Sequence, residues 1–131
     1  MTWYRRHYKI ANKDKGNRTI AFDFDGVLAT YAEGQYPEIG EPIEGMAKLT
    51  NDLKDQGWKI IIFTCRAAKE VRQWLKDNGY AFDKINKNID DKGNSPKVYA
   101  EIYVDDRAIN FGGDAEKLRE QIKDFKPWGR K

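Results

Sequence analysis

The apolar positions of this chain fall into blocks whose period switches between two and about 3.6, and the switches mark out alternating strands and helices. Ile20, Phe22 and Phe24 alternate with Ala21 and Asp23, so residues 19–24 read as a buried strand that Gly26 ends. Residues 29–42 hold Gly34, Pro37, Gly40 and Pro42 and read as a loop. Pro42 suits the first turn of a helix, and Ile43, Met46, Leu49 and Leu53 keep helical spacing as far as Gly57, a C-terminal stop. Residues 58–63 are nearly unbroken apolar sequence, as a strand covered on both faces requires. A helix over 67–78 turns Val71, Trp74 and Leu75 inward and stops at Gly79. Residues 82–86 predict a short third strand, 87–96 a polar loop and 102–104 a fourth strand. Asp114 is placed to cap a last helix carrying Leu118, Ile122 and Phe125 on one face. Ahead of these elements, residues 3–10 predict an extra strand, set off by the polar, turn-like stretch 12–17.

Strands that alternate with helices imply an α/β fold: a three-layer, Rossmann-like parallel sheet with helices on both faces. Ligands of such sheets gather beyond the carboxyl ends of the strands. Asp23 and Asp25 close the first strand, Thr64 follows the second, and Asp105 and Asp106 follow the fourth. Residues far apart in sequence are thereby expected at one edge. At 131 residues the chain has the length of one domain, here 18–131, preceded by a basic arm or extra strand over 1–17.

Composition narrows the chemistry. No apolar run approaches the roughly 20 residues that cross a membrane, and the basic N-terminus lacks the apolar stretch of a secretory signal, so a cytoplasmic location and no membrane partner are expected. Cys65 is the only cysteine and His7 the only histidine, which excludes an internal disulfide and a zinc cluster. The net charge of +3 is uneven: residues 1–19 carry +5, residues 20–112 carry −4 and residues 113–131 carry +2. A basic end of this kind serves either as a contact to nucleic acid or a phosphorylated substrate, or as a solvated arm.

Several carboxylates at one sheet edge repel strongly in a low-dielectric cleft, and a divalent cation resolves that repulsion. Oxygen ligands without His or Cys favour Mg²⁺, which in turn favours a phosphate oxygen as a further ligand. A phosphorylated small molecule is the expected partner. Phosphoryl transfer needs a nucleophile and positive charge on the equatorial oxygens. Asp23, at the rigid end of its strand, suits a nucleophile that forms an aspartyl-phosphate. Asp25, two residues on and so on the same side, suits the general acid and base. Thr64 offers a hydroxyl and backbone donors, and Lys97 a mobile cation. Arg66 either binds substrate phosphate or pairs with an acid. Arg107 is expected to be structural, Cys65 a small buried side chain, Trp74 a core residue, and Trp3 and Trp128 to pack on the core or stack on a ligand.

The stretch Phe22-Asp23-Phe24-Asp25-Gly26-Val27-Leu28 resembles the first motif of the haloacid dehalogenase superfamily, D-x-D-G-[TV]-L. Ile60-Ile61-Ile62-Phe63-Thr64 resembles the second, an apolar strand ending in Thr or Ser, and Ile102-Tyr103-Val104-Asp105-Asp106 the fourth, an apolar strand ending in paired acids. Lys97 stands where the third motif's lysine is expected, with Lys92 as the alternative. The resemblance runs in order from about Ile20 to Gly113. It implies that Asp23 is nucleophile and Mg²⁺ ligand, and that Asp25 is acid and base with its backbone carbonyl also on the metal. It further implies that Asp106 and Asp105 bind Mg²⁺ and that Thr64 and Lys97 hold the phosphoryl group. Asn110 occupies a position where the family often carries a further acid. Neither usual insertion point has room for a cap domain, so the resemblance is to the capless group, with loop 29–42 and its Tyr31 and Tyr36 as a local lid.

The expected function is therefore a Mg²⁺-dependent phosphatase acting on a phosphomonoester, as a monomer or homodimer. One alternative is a phosphatase of nucleotides or nucleic-acid ends that uses residues 1–19. Another is a non-catalytic phospho-accepting or binding module of the same architecture.

Overall fold

The computed structural model describes residues 18–90 and 96–129. The predicted strand at 3–10, the stretch 12–17, the basic arm with Trp3 and His7, and the alternative lysine Lys92 lie outside them. The elements are β1 (Thr19–Asp23), α1 (Met46–Asp55), β2 (Lys59–Phe63), α2 (Ala68–Asp77), β3 (Lys84–Ile85), β4 (Ile102–Val104) and α3 (Ala115–Lys123). The strands form one sheet of order β3-β2-β1-β4. Every pairing is parallel: Phe22 lies opposite Ile62 on one side and Val104 on the other, and Ile62 opposite Ile85. This is the Rossmann-like α/β architecture the alternation predicts.

The sheet grows from β1 outward to β3, then returns across β1 to place β4 on its other side. The order therefore reverses between β1 and β4, and a crevice opens there at the carboxyl ends of the strands. Ile20, Phe22, Ile60, Ile62 and Ile85 point to one face, where Val71, Leu75 and Tyr80 are buried with them and Met46, Leu53 and Trp74 pack alongside. Each fully buried side chain of this size contributes about 1.5–3 kcal/mol relative to leaving it in water. The opposite face is smaller: Ala21, Ile61 and Ala100 with Phe63, Ile89 and Val98, so the β3–β4 connection supplies its cover. Trp74 is a core residue as expected, its ring edge-on to Phe24 at 5.1 Å and tilted against Tyr80 at 5.4 Å.

Three expectations are corrected. Helix α1 starts at Met46 rather than near Pro42, because Gly45 takes a left-handed φ of 85° and Pro42 bridges Ala29 in extended backbone. The third strand shrinks to two residues. Helix α3 does receive its cap, since the Asp114 carboxylate accepts from the backbone N–H groups of Glu116 and Lys117, but its apolar stripe is not buried among the described residues. Ile122 is 61% exposed and Phe125 37%. Trp128 is also exposed, and its indole N–H donates to the Gly26 carbonyl at 2.9 Å, tying the end of the described chain to the turn after β1. Among the described residues no helix is long and apolar enough to cross a membrane.

Candidate functional site

Asp23, Asp105 and Asp106 meet at the crevice between β1 and β4, where each offers a carboxylate oxygen within 4.8 Å of the others. The register explains the meeting. Phe22 pairs with Val104, so the residue after each strand partner emerges at the same level. Asp23 is further fixed by the Phe24 N–H, which donates to its Oδ1 at 2.9 Å. The Arg107 N–H donates to Asp105 Oδ1 at 2.9 Å, turning the chain sharply after β4.

Burial, the negative charge of Asp105 and a hydrogen bond with Asp106 push the Asp23 carboxyl up to about 8 from an ordinary 3.8. Asp106 is also raised, chiefly by burial. The cluster thus retains a proton near neutrality when nothing else neutralises it. Three clustered carboxylates, all hard oxygen donors, fit a divalent cation of the Mg²⁺ type, and no softer ligand is among them.

Asp25 is not a member of this cluster. Its Oδ2 accepts from Arg66 Nε at 2.8 Å, while its Oδ1 is a buried atom with no hydrogen-bond partner among the described residues. The Arg66 guanidinium also donates to the carbonyls of Pro37 at 2.6 Å and Glu38 at 2.9 Å. Its side chain is 2% exposed. Arg66 thus pairs with an acid, these bonds serving Asp25 and the loop, while it also borders the space beside Asp23.

Loop 29–42 is braced from within as well. The Thr30 N–H donates to the Glu41 carbonyl and the Glu41 N–H to the Thr30 hydroxyl, at 2.8 and 2.9 Å. Gly40 packs so closely on Thr30 that a Cβ there would collide with the Thr30 carbonyl.

Thr64 follows β2 and is held by a residue the sequence patterning missed. The side-chain oxygen of Asn86 accepts from the Thr64 N–H and its amide donates to the Thr64 carbonyl, both at 2.8 Å. Asn86 sits at a φ of 55°, a left-handed conformation that Asn tolerates better than most residues. The backbone donor expected from Thr64 is therefore committed to Asn86. Its hydroxyl oxygen accepts from the Arg66 N–H at 3.1 Å and keeps its own proton to donate. Cys65 is exposed rather than buried.

Two cavities open beside Asp23. The larger, about 700 Å³, is bordered by Lys97, Asp105 and Asn86 with apolar Phe63, Val98 and Tyr103. The smaller, about 280 Å³, is bordered by Asp25, Arg66, Tyr31 and Tyr36. Asp23, Thr64, Cys65 and Arg107 border both. Arg107, expected to be structural, thus stands at the junction. Asn110 belongs to neither lining.

No protein-family model matches the chain, and no curated protein matches it. Among solved structures, a conserved protein from Bacteroides thetaiotaomicron is similar to it, at 30% identity and a TM-score of 0.62 over 80% of this chain and 88% of that one.

Proposed function

We propose that this chain, which belongs to one family with the conserved protein of Bacteroides thetaiotaomicron, is a Mg²⁺-dependent phosphomonoesterase of the haloacid dehalogenase type with Asp23 as its nucleophile. The observation that carries the proposal is the meeting of Asp23, Asp105 and Asp106 at the switch point, with Asp23 at the junction of two cavities. A half-buried carboxyl pushed up to about 8 is costly to retain in a strand end without a use.

The roles follow from placement. Asp105 and Asp106, with Asp23, would hold the cation. When bound, it supplies the positive charge that keeps Asp23 ionised and offsets the charge of the phosphoryl oxygens. Lys97 and Thr64 border the same space and suit the remaining phosphoryl oxygens. The Asp23 carboxylate attacks phosphorus, the bond from phosphorus to the ester oxygen breaks, and Asp25 protonates the departing alcohol. Asp25 then takes a proton from water as that water attacks the aspartyl-phosphate, releasing phosphate and restoring both acids. Arg66 holds Asp25 in place through its Oδ2.

The test is release of phosphate from an aryl phosphate with Mg²⁺ and with chelator. Asp23→Asn should abolish it while the fold survives, and chelation of the wild type should do the same. Full activity in Asp23→Asn would remove the proposal.

A further inference from the structure

The two cavities beside Asp23 differ in what surrounds them, and the difference points to a class of substrate. Lys97 and Asp105 border only the larger one, whereas Asp25 borders only the smaller. A proton donor to the leaving oxygen must stand beside the leaving group. The departing alcohol therefore belongs in the smaller cavity, an inference that rests on the proposed roles of Asp23 and Asp25.

That cavity has aromatic walls. Tyr31 and Tyr36, both from loop 29–42, border it. Tyr36 is 64% exposed, yet its ring is anchored, because the buried Arg66 guanidinium lies 5.1 Å from the ring centroid. The same guanidinium bonds the carbonyls of Pro37 and Glu38, which fixes the backbone that carries the ring. A preorganised aromatic wall favours a flat, apolar partner, since its ordering cost is met before binding. At about 280 Å³ the space has ample room for a ring and its linker.

We infer that the smaller cavity is the leaving-group site and that it selects phosphomonoesters of alcohols bearing an aromatic ring. Tyr36 and Tyr31 set this preference, and Arg66 acts as the positioning residue behind it.

The experiment compares benzyl phosphate with n-butyl phosphate, whose leaving alcohols are both primary and differ mainly in the ring. The wild type should favour the benzyl ester by about tenfold in kcat/KM, chiefly through KM. In Tyr31→Leu/Tyr36→Leu that ratio should fall towards one, whereas Tyr36→Phe, which retains the ring, should keep it. Benzylphosphonate binding, followed by calorimetry in the presence of Mg²⁺, should weaken in parallel and gives a readout independent of turnover. A wild-type ratio near one, or a ratio that the double variant leaves untouched, overturns the inference while phosphatase activity dependent on Asp23 still stands. A wild type that neither hydrolyses the esters nor binds the phosphonate overturns both.

Discussion

Replacing Arg66 by methionine removes three hydrogen bonds at once while roughly preserving the length of the side chain. The donors reach Asp25 Oδ2 at 2.8 Å and the carbonyls of Pro37 and Glu38 at 2.6 and 2.9 Å. Hydrogen bonds to a charged group are worth about 1.5–3 kcal/mol each, so a naive sum would be large. The two carbonyls belong to exposed residues, however, and water can replace the lost donor there. Asp25 is different: its side chain is only 22% exposed, and its Oδ1 already lacks a partner among the described residues. Stranding such a charge costs about 3–5 kcal/mol. With a urea m-value of about 2 kcal/mol per molar, the unfolding midpoint should fall by roughly 2 M. Tryptophan fluorescence would follow the transition. Adding Asp25→Asn to the variant should recover part of the loss, because the stranded charge disappears. A midpoint shift below about 0.5 M, or no recovery in the double variant, would refute the idea that Arg66 serves chiefly to neutralise Asp25 and pin the loop.

Asn86→Ala removes both bonds to Thr64 and puts alanine, which tolerates the left-handed region less well than Asn, at a φ of 55°, so unfolding should become easier by about 2–3 kcal/mol and phosphate release should fall. Tyr80→Phe deletes the buried hydroxyl that donates to the Leu28 carbonyl at 2.7 Å, and chemical denaturation should show a loss of about 1–2 kcal/mol. Asp114→Ala removes the cap of α3 and should cost about 1 kcal/mol by the same assay. In metal-free protein the folded Asp23 carboxyl titrates near 8, above its unfolded value of 3.8, so its contribution is complete below about pH 4 and is lost as pH rises through 8. Thermal melts in chelator should therefore weaken between those limits, and Mg²⁺ should raise the melting temperature more at pH 8 than at pH 5.

The sheet and the acid cluster were legible because both are periodic facts. Alternation across Ile20–Phe24 fixes which side chains share a face, and an acid ending each of two apolar strands can only emerge at the carboxyl edge. What brought β1 beside β4 was the order of strands, which hydrophobic pattern alone does not determine. The misses have local causes. Gly45 stops α1 from starting earlier through a backbone conformation that leaves no trace in side-chain periodicity. Asn86 reads as a polar strand end, and only the fold reveals that its amide mimics a strand partner for Thr64. The role of Arg66 depends on where loop 29–42 lies, and nothing in the spacing of that loop predicts that two of its carbonyls turn towards one guanidinium. Ile122 and Phe125 kept helical spacing without burial, since a stripe specifies a face but not the surface it meets.

Rapid acid quenching of the wild type during turnover of an aryl phosphate with Mg²⁺, followed by peptide mass analysis, would look directly at the covalent step. A phosphoryl group should appear on the peptide containing Asp23, and it should vanish in Asp23→Asn. Steady phosphate release with no label on that peptide, or with label on a different side chain, would contradict the assignment of Asp23 as nucleophile.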